Sequence, residues 1–522
     1  MSEKAQETFQ RSSSELEEVS LSNQMDPEKS GTPISQQNTD EAFPTDEELK
    51  ERTSALAAEL NINQTKLMWK IDLCVVPAFV VLYFLAFLDR INISNAKVYG
   101  MAEDLNLVGN QFNIALTVFF VPYIFFEVAS NYFMKKVPPH IWLSACILAF
   151  GAITLGLGYV KNFSGLVACR FFLGMMESAT FPGIFYVLST YYTKLESQQR
   201  FSAFFSCTCL AGASGGAMAY RIHDLDGVHG LASWQWIFII EGAFTMGLAF
   251  VLYFIIPDFP ESARFLNDNE RDFLKRKLEL NSVSSGFETK YNWRDVAYAF
   301  FHDPLFIITA FCYFCLIVPS YGYAYFAPTI INQMGYTAVA ANQHSVYPWL
   351  LAFGVSNIVA FFSDRTKIRL PYAIVCSAVA VVGLSLVLGL TDNPQGRYAG
   401  CFLTAAGLYT AMPQLVCLTS LNFGGHLRKS LGTAFQVGFG NIGGIIATFI
   451  FLAPDAPVYK KGLGISIAFG ALSIIVFFGL WALLIYRNNK KLTTEYREKF
   501  FAQSEKDITL QGDKHPSFKY MY

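Results

Sequence analysis

Twelve apolar runs, six before a polar break and six after it, constrain this 522-residue chain more than any other feature. A bilayer core takes about 20 predominantly apolar residues per helix. The runs cover 71–96, 111–132, 141–160, 166–191, 201–220 and 236–256, then 304–327, 345–362, 371–390, 396–420, 431–452 and 464–486. Charged residues make up 15% of the chain and hydrophobic ones 53%, which suits a membrane protein rather than a soluble one. The fold class expected is therefore an all-α membrane protein of twelve transmembrane helices.

The rest of the chain divides around these runs. Residues 1–65 read as a disordered N-terminal tail, rich in Ser, Gln and Glu and too polar to bury a core. A six-helix bundle over 66–257, a central loop over 258–301, a second bundle over 302–487 and a tail over 488–522 follow. Lys and Arg gather after even-numbered runs and in the central loop, at Lys135, Lys136, Arg200, Arg264, Arg365, Arg369 and Arg487 among others. Such a bias puts those loops, and both termini, in the cytoplasm. Adding roughly 230 to first-half positions lands on similar second-half features, Gly215-Gly216 on Gly443-Gly444 for example, as a chain built from internal repeats would show.

The fourth run carries charges at bilayer depth. Arg170 and Glu177 lie two helical turns apart with Gly174 between them, so all three share a face. A charge there costs about 2.5–3.5 kcal/mol even on lenient scales and persists facing protein or a wet cavity. Arg170 cannot shed its proton, so it needs an anion. Either Glu177 supplies that anion until a solute carboxylate replaces it, freeing Glu177 to take a proton, or the two form a permanent brace.

Other polar residues leave similar alternatives. Asp89, Arg90, Asn92 and Asn95 follow the apolar part of the first run. They face a cavity near its outer mouth if the helix continues to about residue 98, or mark a helix end meeting water if it does not. Glu127 in the second run is a candidate gate or structural ion pair, and Asp364 with Arg365 after the eighth run are further gate candidates. Glu241 in the sixth run is a proton carrier or a hydrogen-bonded packing residue; Asp89 joins Glu177 and Glu241 as a proton-coupling candidate. The second half offers no deep charge. Tyr321, Tyr325, Gln436 and Asn441 are its candidate solute contacts, since aromatic faces accept planar rings.

Several chemistries find no support. The net charge of −2 implies no polyanion partner, so no nucleic acid is expected. No phosphate-cradling glycine loop appears, so no nucleotide is expected either. The ten cysteines are scattered through apolar runs, and Cys312-x-x-Cys315 lacks the second pair of a zinc site. No nucleophile–base or metal constellation suggests an enzyme.

At these residues the chain resembles the major facilitator superfamily, and within it the anion:cation symporters. The resemblance is carried by Asp89-Arg90-x-Asn92-x-x-x-Ala96, by Arg170-x-x-x-Gly174-x-x-Glu177 followed by Phe181-Pro182-Gly183, and by Trp234 to Gly242. EVASN at 127–131, PDFPESARFL at 257–266, GFGNIGG at 438–444 and APVY at 456–459 are similar to the fungal allantoate-permease branch. General similarity and the terminal PSFKYMY look most like fungal nicotinic acid permeases. The resemblance implies two pseudo-symmetric six-helix bundles, the major facilitator fold, and alternating access. It also implies proton-driven uptake of a small organic anion, with no cofactor beyond the proton gradient. Anion recognition carries over to Arg90 and Arg170, and proton coupling to Glu177. The seventh run lacks the basic residue of animal members, which favours a monoanion. A monomer in the plasma membrane is expected, with an endomembrane as the alternative. The alternatives are another small anion or peptide as solute, or a nutrient receptor signalling through its tails.

Overall fold

The computed structural model describes residues 46–134, 136–282, 303–423, 426–502, 516 and 518–522. The disorder expected of residues 1–45, and Lys135, fall outside them. Within the described residues the expected tail is partly helical: α1 (Asp46–Glu59) buries Thr53, Leu56 and Ala57, spaced for one helix face, against the loop helix α9 (Asp268–Ser282).

The membrane part begins with α2 (Gln64–Val98), capped by Asn63, whose side chain accepts from the Lys66 N–H. It continues unbroken through Asp89–Asn95, so the alternative of a wetted helix end is excluded. Next come α3 (Gln111–Met134), α4 (Pro139–Leu157), α5 (Phe163–Glu177) and α6 (Thr180–Tyr191). The fourth run was expected as one helix. It breaks at Ser178–Ala179 because Pro182, in the first turn of α6, has no N–H to donate back to that turn. After α7 (Lys194–Ile222) and α8 (Ser233–Ile255), the second half holds α10 (Pro304–Asn332), α11 (Ala338–Thr366), α12 (Leu370–Gly389), α13 (Pro394–Asn422), α14 (His426–Ile450) and α15 (Lys460–Lys491).

Ten spans among the described residues are long and apolar enough to cross a membrane, α5 and α6 counting as one. The other two helices differ in kind. α3 carries a shorter apolar run, Gln111–Glu127. α7 is diluted by Ser, Thr and Gly, because it faces protein on two sides: Cβ atoms at Gly212 and Gly216 would collide with the Trp349 ring and the Ser345 hydroxyl of α11. Small residues of this kind are what close helix approach requires in a membrane, where apolar burial alone does not drive association.

The two halves repeat one packing plan. In the first, α2 packs on α7, α3 on α5 and α4 on α8; in the second, α10 packs on α14, α11 on α13 and α12 on α15. Across the seam α7 meets α11 and α3 meets α14, a pair of contacts that exchange with each other when the halves are swapped. The glycine echo obeys the same rule. Gly215 abuts Asn92 of its own half's first helix and Gly216 abuts α11 of the other half. Gly443 abuts Phe314 of its own half's first helix and Gly444 abuts the Phe120 ring of the other half. An even number of crossings puts the start of α2, the loop helix α9 and the end of α15 at one end, termed the terminal end.

Candidate functional site

Arg170 and Glu177 share the buried face of α5 as expected, together with Gly174. Gly174 lets α5 press onto α3: a Cβ there would stand 2.1 Å from the Phe119 carbonyl oxygen. The expected partnership between Arg170 and Glu177 is not found. Glu177 Oε1 accepts instead from Nε of Arg90, at 3.1 Å, and from its Nη2. Arg90 Nη1 donates to the Tyr321 hydroxyl across the seam. Its guanidinium carbon also lies 5.0 Å from the ring centres of both Phe119 and Tyr123. The physical reason is position: the continuous α2 carries Arg90 into the centre, where it outcompetes Arg170 for the carboxylate.

Arg170 is left in an unusual state. It is 1% exposed, and its Nε and Nη2 have no hydrogen-bond partner. The Tyr325 phenol, Asp89, Glu177 and Glu241 are its electrostatic neighbours. A buried guanidinium with open donors is costly, since each unsatisfied buried charged donor forfeits several kcal/mol of hydration.

Beside it lies a carboxyl pair. Asp89 and Glu241 face each other closely enough to interact directly. Thr154 donates to Asp89 Oδ2 at 3.0 Å and Asn92 Nδ2 donates to Glu241 Oε2 at 2.7 Å. Asn95 in turn donates to Asn92 Oδ1 at 2.8 Å. Asp89 Oδ1 and Glu241 Oε1 are buried with no partner. Two carboxyl oxygens can hydrogen-bond each other only through a proton.

Among the second-half candidates, Tyr321 and Tyr325 come to the centre, their rings stacked 5.7 Å apart at 15°. Gln436 does not: its Nε2 points to the Thr309 carbonyl at 3.5 Å, and its Oε1 is buried without a partner. Asn441 is buried with Nδ2 unpartnered, and no hydrogen bond found among the described residues ties it to Arg90 or Arg170. Asp364 and Arg365 are not a pair. Asp364 bonds Arg369, whose backbone turns back toward it at the start of α12, while Arg365 is exposed. Glu127, expected in an ion pair, has none among the described residues and leaves Oε1 buried and open. Thr154, Phe119 and Tyr123 complete the centre and are not singled out by the sequence; the Thr154 hydroxyl shares the apolar third run with Ser144 and Tyr159, so it carries no distinguishing signal.

Two layers flank the centre. Toward the opposite end, hydrogen bonds join the halves: Ser94 to the Tyr325 carbonyl at 2.7 Å, Asn113 to the Thr448 and Phe451 carbonyls, and Thr117 with Thr448 at 2.6 Å. Lys97 is held there between the Phe112 and Phe326 rings, at 4.2 and 5.2 Å. Toward the terminal end lies an aromatic cavity lined by Tyr83, Phe87, Phe205, Tyr313, Tyr321 and Tyr409. The opposite end is thus latched by these bonds, and the aromatic cavity lies between the centre and the terminal end.

Comparison with known proteins agrees with this plan. The family model described as Major Facilitator Superfamily matches residues 79–448. The high-affinity nicotinic acid transporter of Saccharomyces cerevisiae is 32% identical over 461 residues, 88% of this chain and 85% of that protein. The major facilitator-type transporter hxnP of Emericella nidulans is 30% identical over 86% of this chain and 92% of its own. Among solved structures, the proton:xylose symporter XylE overlays with a TM-score of 0.63 at 12% identity, covering 78% of this chain and 95% of that one.

Proposed function

The chain belongs to the major facilitator superfamily, and from that premise we propose that it imports a small organic monocarboxylate together with a proton, nicotinate being the first candidate. The observation that carries this reading is Arg170, a buried guanidinium with two open donors and Tyr325 as a neighbour, whose ring stacks on that of Tyr321. A carboxylate fits both needs at once. It takes a paired place on the guanidinium, and a flat ring attached to it packs on the phenols. The 32% identity to a nicotinic acid transporter supports the choice of candidate.

Proton coupling follows from charge. An anion arriving at Arg170 adds a negative charge to a buried cluster that already holds Asp89, Glu177 and Glu241. A proton shared by Asp89 and Glu241 gives each its missing partner and offsets the added charge. The Arg90–Glu177–Tyr321 linkage ties this centre to the other half, so a change of charge at Glu177 alters how the halves are joined. With the termini in the cytoplasm and the site in a plasma membrane, the terminal-end cavity is the inward-facing route.

The test is uptake of labelled nicotinate, pantothenate and biotin at two external pH values, in cells lacking their own permeases. Saturable uptake of one of them that rises as external pH falls supports the reading. Absence of uptake for every acid, with the protein present at the cell surface, contradicts it. A receptor that moves no solute would give that second result.

A further inference from the structure

We propose that Glu127 is the residue from which the coupled proton leaves at the terminal end. The assignment rests on the proton-coupled reading above, and deepens it by giving the proton a way out. Glu127 is 4% exposed, lies on the protein-facing side of α3, and has Oε1 buried without a hydrogen-bond partner. Its neighbours Phe125 and Phe126 face outward, so the carboxyl is turned inward by the helix itself.

The charged and titratable groups that reach Glu127 are few. Among the described residues Arg90 of α2 is its cationic neighbour, and that guanidinium is already bonded to Glu177 and Tyr321. Tyr123, one turn back on α3, and Tyr313 of α10 are the other two. From α5, Glu177 stands beyond Arg90. α4 carries His140, which is bound to Asp258, and α10 carries Asp303, which is bound to Arg487. Residues 432–450 of α14 carry no charge. A carboxylate so buried, with no bonded cation among the described residues, forfeits its hydration without compensation, so in this closed arrangement the group carries a proton.

Its position makes that proton releasable. Glu127 lies on the seam: its Oε2 is 3.7 Å from where a Cβ would stand on Gly438 of α14, in the other half. It also lies about 10 Å of helix from the end of α3, within electrostatic reach of the aromatic cavity's Tyr313. Parting of the halves at the terminal end separates α3 from α14 and admits water to the carboxyl. The O–H bond then breaks, the proton passes to water on that side, and a hydrated carboxylate remains. Tyr123 links this station to the centre, since its ring lies against Arg90 and its residue is four before Glu127 on the same face. Reclosure of the seam requires the carboxylate to take up a proton again, which comes from the centre.

The experiment uses the full chain in proteoliposomes with labelled nicotinate, pantothenate and biotin as probes. Two quantities are read: accumulation driven by an imposed pH gradient, and exchange of label at equal pH on both sides, which needs no net proton movement. Wild type accumulates at least one probe. Glu127→Gln, which cannot release a proton, loses the gradient-driven accumulation and retains exchange; Glu127→Asp, which still titrates, retains both. Gradient-driven accumulation by Glu127→Gln equal to wild type overturns the assignment, and so does loss of exchange together with accumulation. Wild type that accumulates none of the probes overturns the transport reading itself, and the assignment falls with it.

Discussion

Glu177 on α5 is bound by Arg90 on α2, at 3.1 Å from Nε, and not by Arg170 on its own helix. Two arginines at one centre are therefore held differently: Arg90 lies between Glu177 and Tyr321, while Arg170 leaves its Nε and Nη2 without a partner. Removing one partner of a buried pair leaves the other uncompensated, at about 3–5 kcal/mol. Glu177→Gln is expected to lower the melting temperature in detergent and to abolish gradient-driven uptake. The double variant Arg90→Gln with Glu177→Gln is expected to recover part of the lost melting temperature without recovering uptake.

The same helix tests the packing account. A Cβ at Gly174 would stand 2.1 Å from the Phe119 carbonyl, a backbone atom that cannot swing aside. Gly174→Ala is expected to destabilise the protein by about 1–3 kcal/mol or more, the usual cost of overpacking. The thermal melt of the purified variant checks this, and a wild-type melt contradicts it.

Asn113 offers a test of the opposite-end latch, since its one side chain donates to two carbonyls of the other half. Asn113→Ala is expected to let that end open more often. Spin labels at the exposed positions Asn110 and Lys460 read this directly. The distance distribution gains a longer component in the variant; an unchanged distribution counts against the latch.

Outside the membrane, Lys70 Nζ bonds Glu270 at 2.7 Å, joining the start of α2 to the loop helix α9. Burial raises the Glu270 carboxyl, but the hydrogen bonds from Lys70 and the Asn267 N–H outweigh it and hold the group below the usual carboxylate range. A carboxyl lowered on folding stabilises the fold above its unfolded value of about 4.3, and the benefit disappears as pH falls through the lower folded value. The pair is partly exposed, so its worth is below about 1 kcal/mol. Lys70→Met is expected to shift the melt slightly at pH 7 and by progressively less as pH falls below the unfolded carboxyl value.

Much of this was legible in the chain. Twelve runs, their division into halves and the Gly215-Gly216 echo of Gly443-Gly444 follow from hydropathy and spacing, which are local properties. That Arg170, Gly174 and Glu177 share a buried face followed from helical period alone. What the sequence withheld was which cation meets which anion. Arg90 and Arg170 are alike in composition and depth, and the contest for Glu177 is decided by how α2 and α5 cross. The break at Ser178–Ala179 has its local signal in Pro182, which the apolar run around it masks. Thr154 and Asn113, each one of several polar residues in an apolar run, declare their partners only far along the chain.

Binding of labelled nicotinate to purified wild type, Arg170→Lys and Arg170→Gln tests the central claim most directly, with a thermal melt confirming that each variant is folded. Wild type is expected to bind saturably and to reject the uncharged amide. Arg170→Gln is expected to weaken binding by about tenfold or more, since charge-assisted hydrogen bonds are worth roughly 1.5–3 kcal/mol, with Arg170→Lys between the two. Nicotinate affinity in a folded Arg170→Gln protein equal to that of wild type would contradict the account.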